Sequence, residues 1–178
     1  MATPDGFDDV LAANRGYADR FSYDGIPGRA ARGLAVVTCM DSRIEPLRML
    51  GLRNGDAKIL RNAGGRVTDD VLRTLVLAAH LLGVDRVMVV AHTDCRMTKV
   101  TDAGVHAAIA AQSGIDTRSL EFRTITDQLS SLAEDVQRIR SLPYLPAGVR
   151  VVGCVYDVTT GLLDVQVPEQ PLEANLRA

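Results

Sequence analysis

Four short segments of the chain are almost continuously apolar and dense in valine and isoleucine. They are LAVVTCM (residues 34–40), AKILRNA (57–63), VDRVMVVAHT (84–93) and VRVVGCVYDV (149–158). Strands that are covered on both faces have this composition, whereas a half-exposed strand alternates apolar and polar residues. The segment LLDVQV (162–167) does alternate. The pattern therefore predicts four buried strands and one edge strand.

Amphipathic segments lie between these strands and predict helices. In TDDVLRTLVLAAHLLG, apolar residues recur at helical spacing. Thr68 can cap the N-terminus of this helix, and Gly83 ends it. A second apolar stripe predicts a long helix that Pro143 closes, with one face formed by Ile125, Leu129, Leu132, Val136 and Ile139. Strands that alternate with helices predict an α/β fold, in which a mainly parallel β-sheet of four strands plus an edge strand is flanked by helices.

The first 33 residues differ from the rest of the chain. A short helix around residues 8–20 is followed by a connector that contains glycine and proline. This N-terminal arm has little of its own chain to pack on, so we expect it to pack on a partner subunit. The 178 residues contain no linker or internal repeat, and we expect a single domain over residues 1–178.

Charge and composition exclude several classes of partner. The formal net charge is -2 and the arginines are scattered, so we expect no nucleic-acid partner. The N-terminus MATPDGFDDV is acidic where a signal peptide is basic, and no segment reaches the roughly 18 apolar residues of a membrane helix. We expect a cytoplasmic protein without a membrane partner. Three cysteines in that reducing compartment indicate metal binding or catalysis rather than disulfides.

Two polar clusters follow predicted strands at the edge of the sheet where open α/β folds bind ligands. Cys39, Asp41 and Arg43 end the first strand, and an extended backbone with period two places them on one side. His92 and Cys95 follow the third strand, three positions apart. The two thiolates and the imidazole form a soft ligand set that favours Zn2+. Three protein ligands leave a fourth position open, as in catalytic zinc sites.

Asp41 has two interpretations in such a site. It is either the fourth zinc ligand or an acceptor for a zinc-bound water, and Arg43 can hold its carboxylate away from the metal by a two-pronged salt bridge. Taken singly, the pair is better explained as a structural salt bridge. Cys39 alone is better explained as a small buried hydrophobe, which is our interpretation of Cys154. Only the combination of these residues favours a metal site.

The second strand ends in RNAGG, residues 61–65. Gly64 and Gly65 allow a tight approach of the backbone, either at a substrate mouth or at a neighbouring subunit. Arg61 could equally be a solvated charge. His80 and His106 lack cysteine or carboxylate partners at ligand spacing, so we expect both to be packing or surface residues.

Three motifs in their order and spacing resemble the β-class carbonic anhydrases, and most closely their short bacterial branch. They are Cys-x-Asp-x-Arg after the first strand, RNAG after the second and His-x-x-Cys after the third, and together they span residues 34–96. The resemblance implies a homo-oligomer, a dimer or a tetramer, in which N-terminal helices embrace the partner subunit. It also implies small-molecule substrates.

For the site, the resemblance implies zinc bound by Cys39, His92 and Cys95, with Asp41 and Arg43 as a catalytic dyad. The resemblance implies two states for Asp41: it either binds zinc as a fourth ligand, which gives a closed, inactive site, or pairs with Arg43 and leaves room for water. The implied reaction is reversible hydration of carbon dioxide to bicarbonate by attack of zinc-bound hydroxide. The alternative is hydrolysis of carbonyl sulfide or carbon disulfide at the same site, because relatives of the short branch are associated with that chemistry.

A zinc-binding or redox-sensing protein without turnover is a further alternative, which the intact dyad disfavours. The sequence also departs from the family pattern near the site. Arg96 stands where a glycine commonly follows the second cysteine, and with Gly64 and Gly65 it is a candidate for the substrate pocket. The chain has no tryptophan, so it lacks the Trp of the regulatory bicarbonate pocket of some members.

Overall fold

The computed structural model describes residues 6–23 and 25–173; residues 1–5, 24 and 174–178 lie outside the described part. Its strands are β1 (Leu34–Cys39), β2 (Ala57–Asn62), β3 (Arg86–His92), β4 (Arg150–Tyr156) and β5 (Leu163–Pro171). Its helices are α1 (Asp8–Ala18), α2 (Pro46–Met49), α3 (Asp69–Leu81), α4 (Asp102–Ser113) and α5 (Gln128–Arg140). Two single 3₁₀ turns, Ala63–Gly65 and Arg96–Thr98, follow β2 and β3.

The strands form one sheet in the order β2-β1-β3-β4-β5. Strands β1 to β4 run parallel to one another, and β5 pairs antiparallel with β4 at the edge. The predicted fold class is therefore confirmed, including the edge strand and the N-terminal helix. Because β2, β1 and β3 are adjacent and parallel, their last residues Asn62, Cys39 and His92 come together at one edge of the sheet.

Helix α3 begins and packs as its sequence predicts. The Thr68 side chain accepts a hydrogen bond from the Val71 amide at 3.4 Å, which caps the N-terminus. Val71, Leu75 and Ala78 are buried on the face that α3 turns to the core. Helix α5 packs on the sheet through buried Leu132, Val136 and Ile139, which belong to the same core cluster as the buried face of α3.

The predicted start of the second long helix was wrong. Asp127 caps α5 by accepting from the Ser130 amide at 2.6 Å, so Ile125 lies in the loop before the helix. Ile125 is buried there and its amide bonds to the Met97 carbonyl, whereas Leu129 is 52% exposed. Both residues fit the apolar period, but one belongs to the loop and the other faces outward.

Helix α4 was not predicted, because its sequence carries no apolar period. It is alanine-rich and buries none of its residues. Thr101 caps its start and Gly114, with φ of 70°, its end. His106 of α4 packs against the Phe122 ring at 5.0 Å, and His80 of α3 is exposed, as expected for packing and surface histidines.

Helix α1 and the connector that follows it form the arm. None of the described residues of α1 is buried. The arm prediction for residues 1–33 also covers residues 1–5 and 24, which lie outside the described residues. No helix in the described ranges combines the length and the apolarity that a membrane crossing needs.

Candidate metal centre

Cys39, His92 and Cys95 come together in the described part of the structure as a group that could hold one metal ion. Their ligand atoms all lie within 4.8 Å of one another, and all three residues are buried. The three donors of a tetrahedral zinc site, at bond lengths of 2.0–2.3 Å, are about 3.5 Å apart, so the group needs only a small contraction. The sequence-predicted ligand set is thus brought together by the fold.

Neighbouring elements fix the chain around these donors. The Thr93 amide bonds to the Tyr156 carbonyl at 2.9 Å, and the Thr93 hydroxyl accepts from the Val158 amide at 3.1 Å. These bonds anchor the chain that leaves β3 to the end of β4. The Gln128 side chain of α5 donates to the His92 carbonyl at 2.8 Å. The backbone that carries His92 is therefore held from two sides, a condition for a preorganised site.

The hydrogen bonding of His92 fits a metal ligand. Its Nδ1 donates to the Thr93 carbonyl at 2.9 Å, which leaves the lone pair on Nε2. Nε2 is buried and has no hydrogen-bond partner. A buried polar atom without a partner is costly, and a metal ion at the centre of the group would satisfy it. This atom and the soft donor set together fit Zn2+.

The side chains of Cys39 and Cys95 interact with each other, and the contact shifts the pKa values of the two thiols in opposite directions. A hydrogen bond from the Cys95 thiol stabilises the Cys39 thiolate and holds the pKa of Cys39 far below its ordinary value. The same contact raises the pKa of Cys95. A lowered pKa at Cys39 favours the thiolate, which is the form of cysteine that binds metals. Cys154, in contrast, lies in the apolar core of β4, where burial raises the pKa of its thiol.

Asp41 lies beside the group and is held by Arg43. Its Oδ2 is 3.9 Å from His92 Nε2. Arg43 Nε donates to Asp41 Oδ1 at 2.9 Å, and Nη2 donates to Oδ2 at 2.8 Å. These hydrogen bonds keep the pKa of Asp41 well below its usual range. The period-two argument for this arrangement was wrong, because β1 ends at Cys39 and a turn, not a strand, carries Asp41 and Arg43.

Arg61 is a residue whose role the sequence did not reveal. Its Nε donates to the Cys39 carbonyl at 3.0 Å and its Nη2 to the Asp41 carbonyl at 2.7 Å. Arg61 is exposed, and it also braces the chain between a predicted ligand and the predicted dyad. Next to it, Asn62 closes the RNAGG loop by bonding the Arg66 amide and carbonyl at 2.8 and 2.7 Å.

A pocket of about 550 Å³ opens onto this group. Its lining includes Cys39, Cys95 and Asp41, and also Gly64 and Arg96. Gly65 is not part of the lining, because it faces the backbone of β1 instead. Of the three residues predicted for a substrate pocket, the fold brings two to this pocket.

Comparison with known proteins gives consistent matches. A family profile described as carbonic anhydrase matches residues 34–163. β-Carbonic anhydrase 1 of Mycobacterium tuberculosis is 38% identical over 162 residues, which cover 90% of this chain and 98% of that protein. A carbon disulfide hydrolase of Acidianus sp. is 32% identical over 160 residues, which cover 76% of this chain and 77% of that protein.

Solved structures agree with the sequence matches. The crystal structure of a carbonic anhydrase from Streptococcus mutans has a TM-score of 0.85 at 37% identity, covering 92% of this chain and 99% of that one. A carbon disulfide hydrolase in its apo form has a TM-score of 0.65 at 30% identity, covering 96% of this chain and 91% of that one. The family profile spans most of the chain, and the Mycobacterium tuberculosis relative matches along nearly its full length. The chain belongs to the β-class carbonic anhydrase family of enzymes.

Proposed function

We propose that this enzyme catalyses the reversible hydration of carbon dioxide to bicarbonate. The observation that carries the proposal is the convergence of Cys39, His92 and Cys95 beside a pocket that both cysteines line, with Asp41 held next to them by Arg43. Family membership supports the same reaction. The buried, unpartnered Nε2 of His92 supports zinc as the cofactor.

Each residue of the site has a defined task in this proposal. Cys39, His92 and Cys95 would hold Zn2+, which makes a nucleophile available from water at neutral pH. Arg43 holds the Asp41 carboxylate through two side-chain bonds, which supports a site whose fourth position is open rather than closed by Asp41. Asp41 then accepts a hydrogen bond from the nucleophile and orients it toward the substrate.

The pocket lining suits a small, neutral substrate. Met40, Ala63, Gly64 and Met97 contribute apolar surface and little bulk near the donors. We propose that Gly64 forms the wall against which a linear molecule lies and that Arg96, which is exposed, borders the mouth. Gly65 supports this wall from behind through its contact with β1.

Hydrolysis of carbonyl sulfide or carbon disulfide is the second candidate function. The observation that favours it is the similarity to carbon disulfide hydrolases, at 32% identity for the protein of Acidianus sp.. Carbon dioxide, carbonyl sulfide and carbon disulfide are all linear and neutral, so the same donors and the same Asp41 would serve each of them. The choice depends on the size of the pocket and on access to it rather than on the ligands.

We also propose a homo-oligomer in which the arm of one subunit packs on another. Six large apolar or aromatic side chains in the described part of the arm are more than half exposed: Phe7, Val10, Leu11, Tyr17, Phe21 and Tyr23. An apolar groove of about 590 Å³ between α3 and the segment after α5 is one surface that such an arm can cover. Residues 6–23 then serve a partner subunit, while the sheet and its helices form a single domain.

Substitution of Asp41 tests the proposed reaction. Asp41→Asn keeps the size of the side chain but removes the charge that pairs with Arg43, and we expect carbon dioxide hydration to fall by about tenfold or more. Asp116→Asn is the matched control, because it removes an aspartate that pairs with an arginine in the same way outside this pocket. An unchanged rate in Asp41→Asn, measured by stopped flow on zinc-loaded protein, would contradict the proposed role of Asp41.

A further inference from the structure

Asp94 stands between two of the predicted ligands and has no role in the function proposed above. It lies in the turn after β3, two residues from His92 and directly before Cys95. Its backbone has φ of 55°, one of two positive values among the described residues that are not glycine. Aspartate tolerates this left-handed conformation better than most residues. Because a positive φ is uncommon for a residue other than glycine, the side-chain contacts of Asp94 are informative.

The Asp94 side chain contacts Arg43. Arg43 Nη1 donates to Asp94 Oδ2 at 2.8 Å, and Arg43 Nη2 donates to the Asp94 carbonyl at 3.1 Å. Asp94 also pairs with Lys99. Arg43 therefore bridges the loop that follows β1, which carries Cys39, and the loop that follows β3, which carries Cys95.

The bonds from Arg43 to its two carboxylate partners use different donors. Asp41 takes the Nε–H and one Nη2–H, whereas Asp94 takes one Nη1–H and, through its carbonyl, the second Nη2–H. Four of the five guanidinium donors are thus occupied without any donor being shared. Because the guanidinium is a rigid plane, fixing one end of it fixes the orientation of the other. The bond to Asp94 supports the bond to Asp41 and does not compete with it.

We propose that Asp94 is a positioning residue that anchors Arg43 and, through Arg43, holds the Asp41 carboxylate away from the metal position. This inference rests on the proposed function, since it assigns Asp94 a task in the same site. Asp94 acts across the sheet edge, from the loop of one strand to the loop of its neighbour. Without the Asp94 carboxylate, Arg43 loses the bond from Nη1 and keeps only its bonds to Asp41 and to the backbone carbonyl of residue 94. Asp41 is then freer to turn toward the donors, 3.9 Å from His92 Nε2.

The size of the effect follows from the exposure of the pair. The side chains of Arg43 and Asp94 are 43% and 51% exposed. Exposed ion pairs contribute little free energy. We therefore expect loss of the Asp94 carboxylate to change the equilibrium between Asp41 bonded to Arg43 and Asp41 turned toward the metal position by about two- to fivefold. Such a change is measurable in a binding equilibrium and need not unfold the protein.

Two substitutions of Asp94 separate positioning from folding. Asp94→Gly removes the carboxylate and accepts the positive φ without strain. Asp94→Asn also tolerates this φ and keeps a neutral acceptor for Arg43 Nη1. Lys99→Gln is the matched control, because it removes the other partner of Asp94 and leaves the contact with Arg43 in place.

Hydrogen exchange of the Arg43 Nε–H, measured by NMR with and without zinc, reports the anchoring directly. We expect exchange to accelerate by about two- to fivefold in Asp94→Gly, to be intermediate in Asp94→Asn and to be unchanged in Lys99→Gln. Equal exchange rates in wild type and Asp94→Gly would overturn the inference. Because the measurement does not need the metal, this outcome is independent of whether the protein binds zinc.

Azide binding to the cobalt-substituted protein, followed by visible absorption, reports the consequence at the metal position. We expect azide to bind about two- to fivefold more weakly to Asp94→Gly, because a freer Asp41 competes for the open position. Equal azide affinity would overturn the inference. Failure of the wild-type protein to bind zinc or cobalt would instead contradict the proposed function.

Discussion

Gly65 lies directly against the backbone of Cys39. A Cβ placed on Gly65 would lie 2.9 Å from the Cys39 amide nitrogen, and the residue has φ of 66°. Neither the distance nor the dihedral angle suits a residue with a side chain. The second glycine of RNAGG is therefore needed where β2 leaves the sheet, because β1 passes this point just before its predicted ligand.

Gly65→Ala is expected to lower the free energy of unfolding by about 2 kcal/mol or more, since it adds both a backbone clash and a strained φ. Gly64→Ala is the matched comparison. It has a similar φ of 78°, but the nearest atoms to its Cβ would be in the side chains of Ile125, Met97 and Arg66, at 3.3 to 3.4 Å, rather than in the backbone. Urea denaturation should give the larger loss for Gly65→Ala. Equal losses of unfolding free energy would mean that the close approach of residue 65 to the Cys39 backbone adds no destabilisation beyond that of the positive φ.

Cys39→Ala is expected to abolish zinc binding, because it removes one of three ligands and the thiolate of the pair. Cys154→Ala is its control, since Cys154 is equally buried but lies in the apolar core. Zinc content measured on purified protein should fall from about one ion per chain to near zero in Cys39→Ala only. Full zinc content in Cys39→Ala would show that the ligand assignment is wrong.

The convergence of Cys39, His92 and Cys95 could be predicted from sequence because their positions depend mainly on where the strands end. Each follows a continuous apolar run, and the ends of neighbouring parallel strands meet at one edge of the sheet. Short sequence spacing then sets the distance between His92 and Cys95. The apolar runs reveal the strands, whereas the pairing of the first strand with the third was an assumption that the structure bears out.

The supporting contacts could not be predicted, because their partners are distant in sequence. Arg61 reaches back 22 residues to the Cys39 carbonyl, and Gln128 reaches 36 residues to that of His92. A side chain that bonds a distant carbonyl leaves no periodic pattern. Asp94 was missed for the same reason, since its partner Arg43 is 51 residues away. Helix α4 was missed because it buries nothing and thus has no apolar stripe.

Asp102 gives a prediction about pH. Its carboxylate accepts hydrogen bonds from the Thr124 hydroxyl and from the amides of Phe122 and Thr124, the last two at 3.0 and 2.9 Å. These bonds lower the pKa of Asp102 to about 2, and the bond from the Thr124 hydroxyl has the largest effect. A lowered folded-state pKa stabilises the fold above the unfolded-state value of about 4, and this stabilisation is lost as pH falls toward about 2.

Asp102→Ala should therefore cost about 2 kcal/mol at pH 7, from hydrogen bonds to a charged group. The difference from wild type should shrink as pH falls from 4 toward 2. Denaturant unfolding across this pH range measures it, and Asp70→Ala serves as the exposed control. A difference that stays constant with pH would contradict the assignment.

Leu11→Asp tests the proposed packing of the arm on a partner subunit. Leu11 is 53% exposed within the chain, so a charge there should leave the subunit folded but weaken the assembly. Leu120→Asp is the control, because Leu120 is 56% exposed and lies outside the arm. Light scattering should give a lower mass for Leu11→Asp and for a chain without residues 1–20. An unchanged mass in both would contradict the role of the arm.

The most direct test of the central claim is the turnover of carbon dioxide compared with that of carbonyl sulfide on one zinc-loaded preparation. Stopped flow follows proton release for the first substrate, and a sulfide assay follows the second. We predict that carbon dioxide is turned over faster and that turnover is lost in Cys39→Ala. A preparation that hydrolyses carbonyl sulfide but does not hydrate carbon dioxide would contradict the proposed function, and it would assign the same site to the second candidate.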